Sequence, residues 1–337
     1  MLLIEGIMKL AIFSDAQFHL NLNKSTMLGN GMSSWLEMQL SIVREIFEHA
    51  LLEKVDFVFH DGDLFEDKNK IDVIVYNKVF DLFSEFKKKG LKFIFNVGNH
   101  DKLSVLLSSL TPFSYLGEVC SETFDIETED ERIRVIPYGG ITTVNLEVNK
   151  NKYNILFTHE DISELKLGPL DYISKSRYQK QIFTGWDVVF NGHIHKPQTL
   201  DNIFNIGSPY IQDWGEKGEE KRYFIYSDKL ITSFKTNCPK FITIDNPTKI
   251  EIQDTLKDEF NFYRFEITSD DFSNELLEKH NIEVVIKKKT DRENRIEGDL
   301  SMLDSIKWYI DNVDTDLDKT KLLDIGKYYA NKAQEGV

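Results

Sequence analysis

Five short clusters of Asp, Asn, His and Gly recur along this chain, each directly after an apolar run. Leu10-Ala11-Ile12-Phe13 leads into Asp15-Ala16-Gln17, and Val55–His60 into Gly62-Asp63-Leu64-Phe65. Leu91–Val97 leads into Gly98-Asn99-His100-Asp101, Tyr153–Phe157 into Thr158-His159-Glu160, and Trp186–Asn191 into Gly192-His193-Ile194-His195. A short apolar run bounded by turn residues reads as a buried strand. The polar clusters therefore sit at strand ends, where a sheet gathers its ligands.

The segments between the strands set the fold class. Ser34-Trp35-Leu36-Glu37 reads as a capping box opening a helix with Leu36, Leu40, Val43, Phe47 and Leu51 on one face. Ile71–Lys89 reads as a second helix, stopped by Gly90 after a basic last turn. Strand, helix, strand, helix, strand implies parallel pairing with right-handed crossovers. Further strands are expected at Arg132–Tyr138, Tyr153–Thr158, Trp186–Asn191, Phe204–Ile206, Arg222–Tyr226 and Leu230–Phe234. The expectation is an α/β sandwich of two sheets flanked by helices, over residues 1–238. Beyond a boundary at Thr236–Pro239, strands at Phe241–Ile244, Phe262–Ile267 and Ile282–Ile286 with a helix at Asp271–His280 make a small α+β module, residues 239–297. Two amphipathic helices fill residues 298–337. The first carries Met302, Leu303, Ile306, Tyr309, Ile310 and Val313, the second Leu322, Ile325 and Tyr329. Met1 to Ile7 is read as a short apolar extension or a start-site artefact, with Met8 as the natural start.

Composition narrows the class further. With 337 residues, 41% hydrophobic and 29% charged, the chain can bury a sizeable core. No apolar stretch has the length of a membrane span and no signal peptide is evident. The two cysteines, Cys120 and Cys238, read as inert thiols in a reducing, cytoplasmic setting. A net charge of −15 opposes binding of a polyanion such as DNA. Two divalent cations would offset four of those charges, and a partner would have to supply positive surface.

Asp, Asn and His in this arrangement suit two-metal phosphate chemistry. A carboxylate can bridge two cations, and neutral imidazole and amide ligands limit the negative charge around a substrate phosphate. The five motifs, from Asp15 to His195 and in this order, resemble those of the calcineurin-like metallophosphoesterases. The resemblance implies a four-layer αββα sandwich and two divalent metal ions, Mn2+ or Mg2+. It assigns Asp15 and His195 to the first metal, Asp63 as the bridge, and Asn99, His159 and His193 to the second. His100 becomes the imidazole facing the leaving-group oxygen, oriented by Asp101, with the attacking hydroxide activated by both metals. Each of these residues has a plainer alternative as a capping Asp or a surface His. Gln17 departs from the family's pattern, which has His there. Either its amide ligates weakly, favouring an oxygen-friendly ion such as manganese, or His19 folds back in its place. His60 reads as a packed imidazole capping a strand, Asp61 as a support behind the ligands, and His49 and His280 as structural or surface residues on helices.

Other stretches resemble the SbcD-type DNA repair nuclease subunits, and among them the T4-type bacteriophage recombination endonuclease subunit. These are Gly62-Asp63-Leu64-Phe65, Gly207-Ser208-Pro209, Asp213-Trp214-Gly215-Glu216-Lys217-Gly218, the module after residue 239 and the two terminal helices. The resemblance implies a 3′–5′ exonuclease and endonuclease acting on single- and double-stranded DNA ends in repair and recombination. It also implies an SbcC-like coiled-coil ABC ATPase docked by the terminal helices, a homodimer, and the cytoplasm of a bacterial host. The helices, read alone, can equally pack on their own domain. Lys287, Lys288, Lys289, Arg292 and Arg295 form the strongest basic cluster, read either as a DNA contact or as a solvated charge run among Asp291, Glu293 and Glu297. The rival readings are a small-molecule phosphodiesterase or phosphatase of the same fold and a non-catalytic docking scaffold.

Overall fold

The computed structural model describes residues 2–3, 6–104, 107–143, 146–168, 170–268, 279, 281–287, 302–312 and 317–335. The first half alternates as expected: β1 (Lys9–Phe13), α1 (Ser34–Leu52), β2 (Phe57–Asp61), α2 (Val73–Lys88), β3 (Phe93–Asn96) and β4 (Gly117–Cys120). These strands pair in parallel, β1 with β2, β2 with β3 and β3 with β4. The cap of α1 differs from expectation. Ser33, not Ser34, accepts the Leu36 N–H at 3.0 Å, because the Ser34 hydroxyl instead accepts the Thr26 N–H. A capping box does occur at the short α3 (Lys249–Thr255), between Thr248 and Glu251.

The second half supplies β5 (Phe124–Glu127), β6 (Glu131–Ile136), β7 (Tyr153–Thr158), β8 (Val188–Asn191), β9 (Gln198–Leu200), β10 (Ile203–Asn205), β11 (Arg222–Ser227) and β12 (Leu230–Lys235). One sheet runs β12-β11-β1-β2-β3-β4. The other runs β5-β6-β7-β8-β10-β9, with Leu2–Leu3 beside β5. Apolar side chains alternate across each strand, so each sheet has two buried faces. Leu10, Ile12, Phe57 and Phe59 of the first sheet meet Ile133, Val135, Ile155, Phe157 and Phe190 of the second. The rings of Phe59 and Phe157 stack at 3.8 Å between the sheets. On the outer face of the first sheet, Phe13, Val58, Phe93 and Phe95 pack against Val43, Phe47, Phe83 and Phe86 of α1 and α2. A bidentate Arg44–Glu85 pair, both bonds 2.7 Å, ties the helices together. The outer face of the second sheet is covered by irregular chain and 3-10 turns at Ile141–Thr143 and Lys180–Phe183.

The module after residue 239 contains β13 (Phe241–Asp245), α3, β14 (Phe262–Ile267) and β15 (Ile282–Ile286), in the sheet order β13-β14-β15. Its expected helix at Asp271–His280 lies outside the described residues, apart from Lys279. Phe241 and Phe262 pack on Trp35 and Ile211, joining the module to the start of α1. The chain divides into two compact units, Met1–Val285 and Ile286–Val337. In the second unit α4 (Met302–Asn312) crosses α5 (Lys319–Glu335) where Gly326 meets Ile306, so closely that a Cβ there would lie 2.6 Å from the Ile306 Cγ2. Leu322, Gly326 and Ala330 share that side, while Ile325 and Tyr329 are exposed rather than inward-facing.

Candidate metal centre

The carboxyl ends of β1, β2, β3, β7 and β8 share one rim, and main-chain bonds hold their loops in register. Asp15 N–H donates to the Gly62 carbonyl at 3.0 Å, Gln17 N–H to Asp63 at 2.9 Å, and Phe18 N–H to Leu64 at 2.8 Å. Asp15, Gln17, Asp63 and His193 all adopt positive φ, at 53°, 39°, 58° and 78°. For residues with a Cβ this costs of order 1–3 kcal/mol each and recurs at functional sites, where the surrounding structure imposes it.

His159 lies at the centre, fully buried. Its Nδ1 donates to the Asp61 carbonyl at 2.6 Å, which fixes the ring. Its Nε2 is 3.1 Å from Asp63 Oδ2 and 3.8 Å from Asp15 Oδ1. Nε2 nevertheless has no partner at a hydrogen-bonding angle and no access to solvent. Burial would lower the His159 pKa, but the Asp63 and Asp15 carboxylates hold it well above its ordinary value. Burial would likewise raise Asp63, and the charge on His159 holds it low instead. Two motif glycines allow this packing. A Cβ on Gly62 (φ 93°) would sit 2.3 Å from His159 Nδ1, and one on Gly192 2.5 Å from both that nitrogen and the Asp61 carbonyl.

His193 completes the cluster. Asp63, His159 and His193 each offer a ligand atom within 4.8 Å of the others, the only such group of His, Cys, Asp or Glu among the described residues. The His193 N–H donates to both Asp15 carboxylate oxygens, at 3.1 and 3.2 Å, and its Nδ1 lies 2.8 Å from Asn99 Oδ1. Burial, helped by charge on His159, lowers the His193 pKa. Thus Asp15, Asp63, Asn99, His159 and His193 converge. His195 stands beside them with Nδ1 2.8 Å from Glu216 Oε1.

Three expectations are corrected. Asp101 does not orient His100. Its two oxygens accept the N–H groups of Asp63 at 2.7 Å, Gly98 at 3.0 Å and Leu64 at 3.1 Å, leaving it committed to the main chain. Burial and the neighbouring Asp63 raise its pKa to about 7. The His100 Nδ1 pairs instead with the Glu66 carbonyl, and its N–H donates to Asp63 Oδ1 at 2.8 Å. His19 does fold back, but onto the Gln17 main chain, with Nδ1 2.7 Å from that carbonyl. Gln17, itself buried, also receives the Gln39 amide on the same carbonyl at 3.2 Å. His60 caps nothing. It faces the helix side of the sheet, edge-on to Phe13 at 4.8 Å, with both ring nitrogens unpaired. Asp61 supports the centre through its carbonyl, which also accepts the Ser14 hydroxyl at 2.8 Å. Its carboxylate takes the Asn96 amide, and burial raises its pKa to about 8.

Of the basic cluster, Lys287 follows directly after β15 and is exposed. Lys288, Lys289, Arg292 and Arg295 lie outside the described residues, as does His280. Glu66 and Glu216 are site residues that sequence reasoning misses, since a main-chain carbonyl carries no sequence signal and Glu216 lies 21 residues beyond His195.

The donor set fits divalent cations. Carboxylate and amide oxygens with imidazole nitrogens match ions of the manganese, magnesium and zinc type. A buried His159 Nε2 that faces the Asp63 and Asp15 carboxylates but makes no well-angled hydrogen bond fits a site built to share a cation with them.

Residues 8–197 match the family model described as calcineurin-like phosphoesterase. A protein of Invertebrate iridescent virus 3 named as phosphoesterase 078R is 24% identical over 180 residues, 49% of this chain and 50% of that one. The chain thus spans about half the length of this curated relative. Among solved structures, a dimetal phosphatase from Danio rerio aligns with a TM-score of 0.45 at 10% identity, covering 68% of this chain and 96% of that one. Yfce, a phosphoesterase from E. coli, aligns with a TM-score of 0.34 at 16% identity, covering 67% and 91%.

Proposed function

The chain belongs to the calcineurin-like phosphoesterase family, and from that premise we propose that it is a metal-dependent DNA phosphodiesterase, the nuclease subunit of an SbcD-type repair and recombination complex. The observation that carries metal-dependent hydrolysis is the buried His159 Nε2, which lies beside the Asp63 and Asp15 carboxylates without a well-angled hydrogen bond and within ligand reach of His193. Asp15, Gln17, Asp63 and His195 would hold one cation, and Asp63, Asn99, His159 and His193 the other. Bound there, the pair supplies Lewis-acid stabilisation of phosphoryl charge and acidifies water. The oxygen-rich first set, with Gln17 in place of an imidazole, favours manganese over a softer ion.

The chain's own groups do the rest. Asp101 and the Gly62–Asp15 register set the Asp63 carboxylate in place before substrate arrives. Glu66 commits His100 Nδ1 as a donor, so Nε2 is the atom that exchanges a proton with the leaving oxygen. The DNA reading rests on the resemblance of the module after residue 239 and of the Gly207–Gly218 stretch to the SbcD-type subunits; that stretch also brings Glu216 against His195. The separate α4–α5 unit exposes Ile325, Tyr328 and Tyr329, an apolar surface suited to a coiled-coil ATPase partner. The net charge of −15 makes such a partner the source of positive surface for DNA.

A second reading, a small-molecule phosphoesterase, is favoured by one feature. A cleft of about 450 Å³ beside His193 and His195 is lined by Asp161, Asp213, Lys196 and the Lys221-paired Glu216 and Glu219, a lining with more carboxylates than cations that disfavours a polyanion and leaves room for a small ester. A panel of duplex DNA, single strands and nitrophenyl phosphate esters, with manganese and with or without an SbcC-like ATPase, separates the two. The nuclease reading expects DNA cleavage stimulated by the ATPase. Fast ester turnover with no DNA cleavage in either arm selects the second.

A further inference from the structure

Among the residues around the centre, one buried charge chain stands apart from the ligands. The Lys221 ammonium is wholly enclosed, with Glu216 Oε2 and Glu219 Oε2 each at 2.8 Å and the Ser208 hydroxyl and His195 carbonyl each at 2.9 Å. Glu216 in turn receives the Gln212 N–H on Oε2 at 3.0 Å, and presents Oε1 to His195 Nδ1 at 2.8 Å. The same segment reaches Asp15, whose carbonyl accepts the Gln212 side-chain amide at 2.9 Å.

We propose that Glu216, clamped by Lys221, is the positioning residue for His195: it makes Nδ1 the protonated nitrogen and turns the Nε2 lone pair toward the first cation. The inference rests on the metal-dependent reading given above. An ionised carboxylate is acceptor-only, so the imidazole nitrogen facing it carries the proton and the opposite nitrogen is left as the ligand. A carboxylate on a flexible stem would not fix the ring plane. Here both oxygens are taken, one by the ring and one by the Lys221 ammonium and a main-chain N–H, so the carboxylate cannot rotate away. Enclosing an ammonium and two carboxylates is a poor route to stability, since desolvation offsets most of the attraction. Orienting a ligand explains the arrangement better. The need is acute at this position, because Gln17 leaves His195 as the sole imidazole expected at the first cation.

Two measurements on the full chain test it. The first is long-range 15N–1H correlation of the histidine rings at mildly alkaline pH, with the His195 signal assigned by its loss in His195→Gln. The metal-free protein is expected to show the Nδ1-protonated form at His195. The Nε2-protonated form overturns the proposal, and this readout needs neither metal nor a Glu216 variant. The second is Mn2+ titration followed by electron paramagnetic resonance. Glu216→Ala and Lys221→Met are expected to weaken one of two equivalents by roughly 10- to 100-fold and spare the other. Glu216→Gln, which keeps an acceptor oxygen, recovers part of that loss. Equal weakening of both equivalents, or of neither, overturns the proposal. If the wild-type chain binds no Mn2+, the metal-dependent reading fails, while the tautomer still decides the role of Glu216.

Discussion

The Asp101 carboxylate accepts the main-chain N–H of Asp63 at 2.7 Å, so the residue expected to bridge two cations is held by its backbone from the neighbouring strand loop. The same carboxylate takes the Gly98 and Leu64 N–H groups and is fully enclosed. Asp101→Ala therefore strands three buried donors, each at about 1–3 kcal/mol. Urea denaturation should show a loss of several kcal/mol, with weaker Mn2+ binding. Asp101→Asn, with one acceptor oxygen left, should fall between. Wild-type stability in Asp101→Ala would mean that the clamp contributes nothing.

Gly192 approaches three groups at once. A Cβ added there would lie 2.3 Å from the Ser14 hydroxyl, 2.5 Å from the Asp61 carbonyl and 2.5 Å from His159 Nδ1. The last two are the bonded pair that fixes the His159 ring. Gly192→Ala is expected to displace that ring and reduce metal affinity at least ~10-fold, measured by calorimetric titration. Affinity equal to wild type would show that the strand ends can separate without disturbing His159.

His100 touches the cluster only through its N–H to Asp63, and its ring is held by Glu66. His100→Ala should leave the number of bound cations unchanged and lower turnover by roughly 100- to 10,000-fold. Metal analysis beside steady-state rates checks this. Loss of a cation in the variant would recast His100 as a structural residue.

His60 gives stability a pH dependence. It is buried without hydrogen bonds, and burial, aided by charge on His159, holds its pKa down to about 3. The unfolded ring titrates near 6.5, so between the two values the unfolded chain binds a proton that the folded chain refuses. Its contribution is complete above about pH 6.5 and is lost as pH falls toward about 3, at ~1.4 kcal/mol per unit. His60→Leu should remove that slope. Denaturant melts at about pH 7 and about pH 5 should show the variant gaining on wild type at the lower value; parallel curves would count against a buried neutral imidazole.

Much of this centre is legible in the order of residues. The apolar runs before Asp15, Asp63, Asn99, His159 and His193 place those residues at strand ends, and period and length alone separate these strands from α1 and α2. Parallel pairing follows from the alternation, because a crossover helix must return the chain to the same end of the sheet. The roles of Asp101, Glu66 and His19 are not legible. Each is decided by which main-chain group lies within about 3 Å of a side chain, and main-chain groups are identical at every position. Nor is the cover on the outer face of the second sheet, since irregular chain buries apolar surface without a period.

The residue types at the rim, and their order along the chain, were determined by the sequence alone. Which carboxylate pairs with which ring was decided only by the tertiary structure. His195 finds Glu216, and His159 finds Asp63 and Asp15, across long stretches of chain. Such pairings depend on how two twisted sheets bring their loops together and on which nitrogen a buried partner leaves free. That is a property of three-dimensional packing, and no local pattern of residues encodes it.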